Sequence, residues 1–150
     1  MRSGETRESG YRQHPTYKVW LEPSPKRVRV EFGGQVVADS VNMMLLYETR
    51  HLPVYYFPLD DIDWSLFSAT EHSTFCPFKG EAHYWSVEVG QTSAQNVLWT
   101  YPNPFEEVPA LAGFGAFYWA RMGRWLEEDE EVYVHPRDPH VRVDILPSRR

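Results

Sequence analysis

The chain has 150 residues, a formal net charge of −6, 42% hydrophobic and 15% aromatic residues, and one cysteine, Cys76. A single domain of this length buries about 70% of the surface its unfolded chain exposes, so it needs neither a structural metal nor a disulfide, and one cysteine excludes an internal disulfide. The acidic balance argues against nucleic-acid binding, which draws on clustered Lys and Arg; no apolar stretch approaches the roughly 20 residues that span a bilayer and no apolar signal core opens the chain, so a soluble cytoplasmic protein without a membrane partner is expected.

Residues 1–16 are polar and rich in Gly, Ser and Arg, which predicts a disordered tail ahead of one domain over 17–150. Order is expected to begin near Tyr17-Lys18-Val19-Trp20 and to break at Pro23 and Pro25. Val28, Val30 and Phe32 alternate with Arg27, Arg29 and Glu31, the period of a strand with one wet face. Gly33-Gly34 suits a tight turn, and Gln35 to Asp39 returns as the second arm of a hairpin. Met43 to Tyr47 and Val54 to Phe57 are short apolar runs suited to strands covered on both faces, joined by a turn over Thr49 to Pro53.

Pro58 to Trp64 is the best start for a short helix, with an Asp as its cap. Ala82 to Val89 and Ala94 to Tyr101 form a further hairpin about Gly90, whose register stays open because both arms carry rings at both parities. Pro102, Pro104 and Pro109 mark a loop. In Leu111 to Trp119 the glycines and rings favour strand over helix. Short strands over Met122–Leu126 and Val132–Val134 flank the acidic run Glu127 to Glu131, which reads as solvated surface. Val141, Val143 and Ile145 alternate as a last strand. About nine short strands with one or two short helices make a mainly β domain.

Four constellations bear on chemistry. His72-Ser73-Thr74-Phe75-Cys76-Pro77-Phe78-Lys79-Gly80 brings a thiol, an imidazole and an amine together ahead of His83. A cation near a thiol favours the nucleophilic thiolate, so Cys76 is a candidate catalytic residue; the plainer reading packs it as a small hydrophobe in a Pro-flanked turn. A zinc site from His72 and Cys76, completed by His51, His83, His135 or His140, lacks the Cys-rich ligand set usual for that metal, so no metal and no cofactor are expected. Asp61-Ile62-Asp63 has the spacing of a Mg²⁺-holding pair, but without a Gly-rich phosphate loop it reads as a helix start. The rings and polar groups at His83, Tyr84, Trp85, Trp99, Tyr101, Phe117, Tyr118 and Trp119 either fill the core or wall a pocket.

Phe32-Gly33-Gly34-Gln35-Val36-Val37-Ala38-Asp39-Ser40, Val54-Tyr55-Tyr56-Phe57-Pro58, Cys76-Pro77-Phe78-Lys79-Gly80, Tyr84-Trp85, Trp99-Thr100-Tyr101-Pro102 and Ala116-Phe117-Tyr118 resemble motifs of the domain of unknown function 427 family. His135-Pro136-Arg137-Asp138-Pro139 followed by Val143-Asp144 resembles its C-terminal end, so the resemblance runs from about Pro25 to Arg149. It implies a β-tent-like fold of two leaning antiparallel sheets, as in methionine sulfoxide reductase B and the thalidomide-binding domain of cereblon. Several relatives of that fold hold zinc through two Cys-x-x-Cys knuckles, which this chain lacks. The resemblance also brings a nucleotidyltransferase label, whose Gly-Ser entry and paired carboxylates are not visible here. The function expected is a small-molecule binding module with an aromatic, polar-lipped pocket formed by Cys76, Lys79, His83, Trp85, Trp99, Tyr101 and Tyr118. The alternative is an enzyme, acting through Cys76 or as a nucleotidyltransferase.

Overall fold

The computed structural model describes residues 8–134. Among them run eleven strands: β1 (Val19–Pro23), β2 (Val28–Phe32), β3 (Gln35–Ser40), β4 (Met44–Glu48), β5 (Val54–Pro58), β6 (Phe67–Cys76), β7 (Gly80–Val89), β8 (Thr92–Thr100), β9 (Phe114–Phe117), β10 (Arg124–Glu127) and β11 (Glu130–Val132). All pair antiparallel, in a seven-stranded sheet of order β1-β4-β5-β9-β8-β7-β6 and a four-stranded sheet of order β11-β10-β2-β3. The fold is mainly β, in two antiparallel sheets.

The β2–β3 hairpin follows directly from its alternation. Val28, Val30 and Phe32 are buried. Gly33 and Gly34, at φ 61° and 81°, supply the two left-handed residues of a tight hairpin turn. The buried face of this small sheet packs on one face of the large one, joining Val30, Val37, Leu45, Tyr55, Phe57, Leu98, Phe117 and Trp125 in a single core. Leu45, Leu46 and Tyr47, and likewise Tyr55, Tyr56 and Phe57, are buried consecutively. The large sheet is covered on its second face too. There Leu46, Tyr56, Ala82, Tyr84, Tyr101 and Ala116 meet Val108 and Leu111 of the segment following β8.

Several expectations are corrected. Pro58 to Trp64 starts no α-helix; two 3₁₀ turns, Leu59–Asp61 and Trp64–Leu66, take its place. With Ile62 extended between them and bridged to Ala38, the backbone is drawn into the sheet instead of continuing a helix. The strand β6, ten residues long, runs through a stretch for which no strand was expected and ends at Cys76, just before the turn at 77–79. Its residues are mostly polar and exposed because it is the last strand of its sheet. Residues 8–16, expected as tail, carry contacts: the Gly10 amide donates to the Pro77 carbonyl at 2.8 Å. The acidic run is largely exposed, as expected of solvated surface, and makes the turn of the β10–β11 hairpin, with Glu128 at φ 56° and Lys26, Arg27 and Arg29 facing it. The strand expected over Val141–Ile145 lies outside the described residues, as do His135 and His140.

The register of the β7–β8 hairpin is Tyr84 opposite Trp99 and Val87 opposite Ala94, with a bulge between Trp85 and Val87. The extra residues sit on β8 around Asn96, at φ 54°. Val97 and Leu98 then both enter the core between the sheets, breaking simple alternation.

Candidate functional site

The second face of the large sheet gathers most of the chemistry-bearing residues. Alternation along β5, β7 and β8 puts Tyr56, Tyr84 and Trp99 on this face, while Tyr55, Phe57, Trp85 and Leu98 turn to the other core. Tyr101 continues the face beyond β8, Tyr118 lies beyond β9, and Cys76 closes β6. The rings of Trp99 and Tyr118 lie 4.8 Å apart, and Tyr84 stacks toward Tyr118 at 6.4 Å. The Trp99 indole N–H donates to the Tyr56 hydroxyl at 3.2 Å. The Tyr84 hydroxyl and Thr74 Oγ1 share a hydrogen bond of 2.9 Å, and the His72 ring lies 4.6 Å from Tyr84.

Tyr101 differs from its neighbours. It is 6% exposed, and its hydroxyl has no hydrogen-bond partner among the described residues. It is not sealed in either, since the one fully enclosed unpartnered side-chain atom among them is Arg29 Nε. Burial pushes the Tyr101 phenol far above its ordinary pKa, helped by Tyr56, Cys76 and Tyr84 nearby. Burial likewise raises Tyr56, against the Trp99 hydrogen bond, and Tyr118, which also feels Tyr84. These phenols therefore stay protonated near neutral pH. They can donate hydrogen bonds, and none is available there as a phenolate base.

At one end of this face Lys79 Nζ donates to Glu48 Oε1 at 2.6 Å, with the two side chains only 10% and 11% exposed. The Tyr17 hydroxyl donates to the other oxygen, Oε2. Burial works to raise the Glu48 carboxyl, but the hydrogen bonds from Lys79 and Tyr17, with the ammonium charge, outweigh it and hold the group below its ordinary range. Gly80 follows at φ 117°, where a Cβ would stand 3.2 Å from the Asn103 carbonyl oxygen and 3.3 Å from Pro104 Cα. Only glycine lets the segment after β8 close over this turn.

Of the expected site residues, Cys76, Lys79, Trp99, Tyr101 and Tyr118 come together. His83 and Trp85 do not. On β7 they have the opposite parity to Tyr84: His83 is 51% exposed at its side chain and faces Glu81, while Trp85 packs on Trp64 at 4.7 Å and donates to Thr100. His83 is thus held away from Cys76, whose sulfur has no hydrogen-bond partner among the described residues. Glu48, Tyr56 and Tyr17 were not expected. Glu48 carried a readable signal, because it continues the parity of Met44 and Leu46 at the end of an apolar run. Among the described residues no three His, Cys, Asp or Glu side chains converge as metal ligands would.

Asp61 and Asp63 serve the backbone. Asp61 accepts from the buried Ser40 hydroxyl at 2.6 Å, and Asp63 caps the second 3₁₀ turn by accepting from the Ser65 amide and hydroxyl at 3.2 and 2.6 Å. Because Asn accepts and caps nearly as well, the double variant D61N/D63N should lose less than about 1 kcal/mol in urea unfolding. A Mg²⁺-dependent stabilisation by ATP that vanishes in this variant would give the pair a role in binding a nucleotide.

A concavity of about 360 Å³ lies elsewhere, at the far ends of β6, β7 and β8, lined by Ser68, Thr70, Ser86, Val87, Glu88, Ser93 and Gln95. It has no ring wall, and several of its polar groups already satisfy one another: Ser86 donates to Gln95, and Thr70 to Asn96.

No helix among the described residues is long and apolar enough to cross a membrane. A search of curated proteins finds no match. The family model described as a domain of unknown function, DUF427, matches residues 20–128, which takes in every strand of the ring-lined face, and the chain belongs to that family.

Proposed function

We propose that this protein is a small-molecule binding module whose site is the aromatic face of the seven-stranded sheet, centred on Tyr101. The observation that carries this reading is Tyr101: the residue is almost wholly buried, yet its protonated hydroxyl is open at the surface and without a partner among the described residues. Polar groups in such surroundings usually find a partner, and an acceptor that arrives from outside would supply one. Trp99 and Tyr118, in ring contact with each other, offer ring faces on the same side of the sheet, and Lys79 and Glu48 neutralise each other at one end. Such a site suits a ring-bearing ligand with a carbonyl-type acceptor. The unpaired cysteine agrees with a reducing, cytoplasmic setting.

The enzymatic alternatives draw less support. Cys76 lacks a hydrogen-bonded base among the described residues, and Asp61 and Asp63 are occupied with the chain itself. A thermal-shift screen against a metabolite library tests the proposal, because a ligand selective for the native state raises its midpoint. Tyr101→Phe is expected to fold with its midpoint nearly unchanged and to bind any hit roughly tenfold more weakly, followed by calorimetric titration. A library that yields no stabilising compound, or a hit that Tyr101→Phe binds as tightly, defeats the reading. Turnover of a hit that Cys76→Ser abolishes would transfer the role to the thiol.

A further inference from the structure

We propose that Gly10–Tyr17 is a strap that governs entry to the ring-lined face, latched on Glu48; this rests on reading that face as the binding site. The strap contains neither strand nor helix, and it precedes the stretch that matches the family. It is nevertheless fastened at several points to the turn that follows Cys76. The Gly10 amide donates to Pro77 O at 2.8 Å, and the Tyr11 hydroxyl to Phe78 O at 2.7 Å. The Phe78 ring is gripped by three others: Tyr17 stacked at 3.8 Å, Tyr11 edge-on at 5.2 Å and His14 edge-on at 5.9 Å.

The last fastening is the Tyr17 hydroxyl on Glu48. That carboxylate also holds Lys79, so one side chain of β4 joins the strap to the turn beside Cys76. Cys76 is close enough to influence both strap phenols electrostatically. The strap therefore lies against the turn that follows Cys76, at the end of the face where Lys79 and Glu48 pair.

Its fastenings are mostly side-chain contacts, with one backbone hydrogen bond to the turn. A segment held in this way opens at a cost below that of unfolding the domain, whereas the sheets beneath it stay paired. Opening would clear the approach to Cys76 and Tyr101 without disturbing either core.

The test uses the full chain and needs no ligand. In Tyr17→Phe the latch is lost but the ring that stacks on Phe78 remains. The single thiol, Cys76, should then react with an aromatic disulfide reagent roughly tenfold faster than in wild type, as expected when a hydrogen bond to a charged group no longer holds a local opening closed. Trypsin cleavage after Arg12, followed by mass spectrometry, should accelerate in parallel, with the thermal midpoint within a few degrees of wild type. Tyr11→Phe removes a different fastening and should act in the same direction. Labelling and cleavage at the wild-type rate in both variants would overturn the strap. A metabolite screen without hits would instead count against the binding site, so the two ideas fail separately.

Discussion

Replacing Lys79 by Met is expected to destabilise the protein by about 3 kcal/mol, a fall in melting temperature of roughly 6–12 °C for a chain of this length. The side chain is of similar size, so little packing is lost. What is lost is the partner of Glu48, whose carboxylate then keeps one hydroxyl donor, Tyr17, in a setting that excludes most water. Removing one member of a buried pair costs more than the pair contributes, because the survivor has been taken out of water without compensation. The double variant K79M/E48Q should therefore recover most of the loss. A single variant that melts with wild type would show that the pair is solvated in solution.

Acid should bring the two proteins closer in stability. In wild type the Glu48 carboxyl is held below its ordinary value of 4.5. The stability this contributes is fully present above that value and is lost as pH falls through the lower folded-state value. In Lys79→Met, burial is opposed chiefly by Tyr17, and neutralising the carboxylate becomes favourable. The deficit relative to wild type should then shrink on acidification, as the charge that lacks its partner is neutralised.

Trp125→Ala is expected to cost about 3–5 kcal/mol in urea or thermal unfolding. Trp125 stands on β10 of the small sheet, 4% exposed. It stacks on Trp119 at 4.3 Å, lies 5.9 Å from Tyr55 and meets Phe57 and Phe117 of the large sheet at 6.2 and 6.3 Å. Its indole N–H donates to the Trp119 carbonyl at 3.2 Å. Truncation would leave a cavity between two sheets whose strands cannot close the gap without breaking their ladders. Trp125→Phe keeps a ring and should lose less than half as much. A loss below about 1 kcal/mol for the alanine variant would mean that the sheets are joined elsewhere.

The parts of this fold that could be read from residues alone were those with clean periodicity. Val28 to Phe32 gave up its hairpin at once, and the apolar runs at Met43 and Val54 correctly implied cover on both faces. Strand β6 was hidden because an edge strand need not alternate: Ser68, Thr70, Glu71, His72, Ser73 and Thr74 carry no apolar beat. Its irregular register against β7, between Ala69 and Ser73, blurs the period further. The candidate site was legible in composition but not in parity. Cys76, Lys79, Trp99, Tyr101 and Tyr118 meet on one face. His83 and Trp85 belong to the same strand as Tyr84 yet turn away from it, since adjacent positions on a strand face opposite directions. The bulge at Asn96 kept the β7–β8 register open. Glu48, Tyr56 and Tyr17 join the site through contacts 31 or more positions apart in the chain, which local pattern does not carry.

The position of β6 has a consequence for how copies of this protein behave when crowded. A ten-residue strand at the end of a sheet presents a line of open amide and carbonyl groups, a template on which another chain can add and start a fibril. Here that line is interrupted by the register shift, and Glu71 and His72 interrupt the run that a stacking zipper requires. The same polarity that concealed the strand from sequence pattern makes it a poor seed. Smoothing it with β-branched apolar residues at Glu71, His72 and Ser73 would leave both cores intact and make the domain prone to self-association.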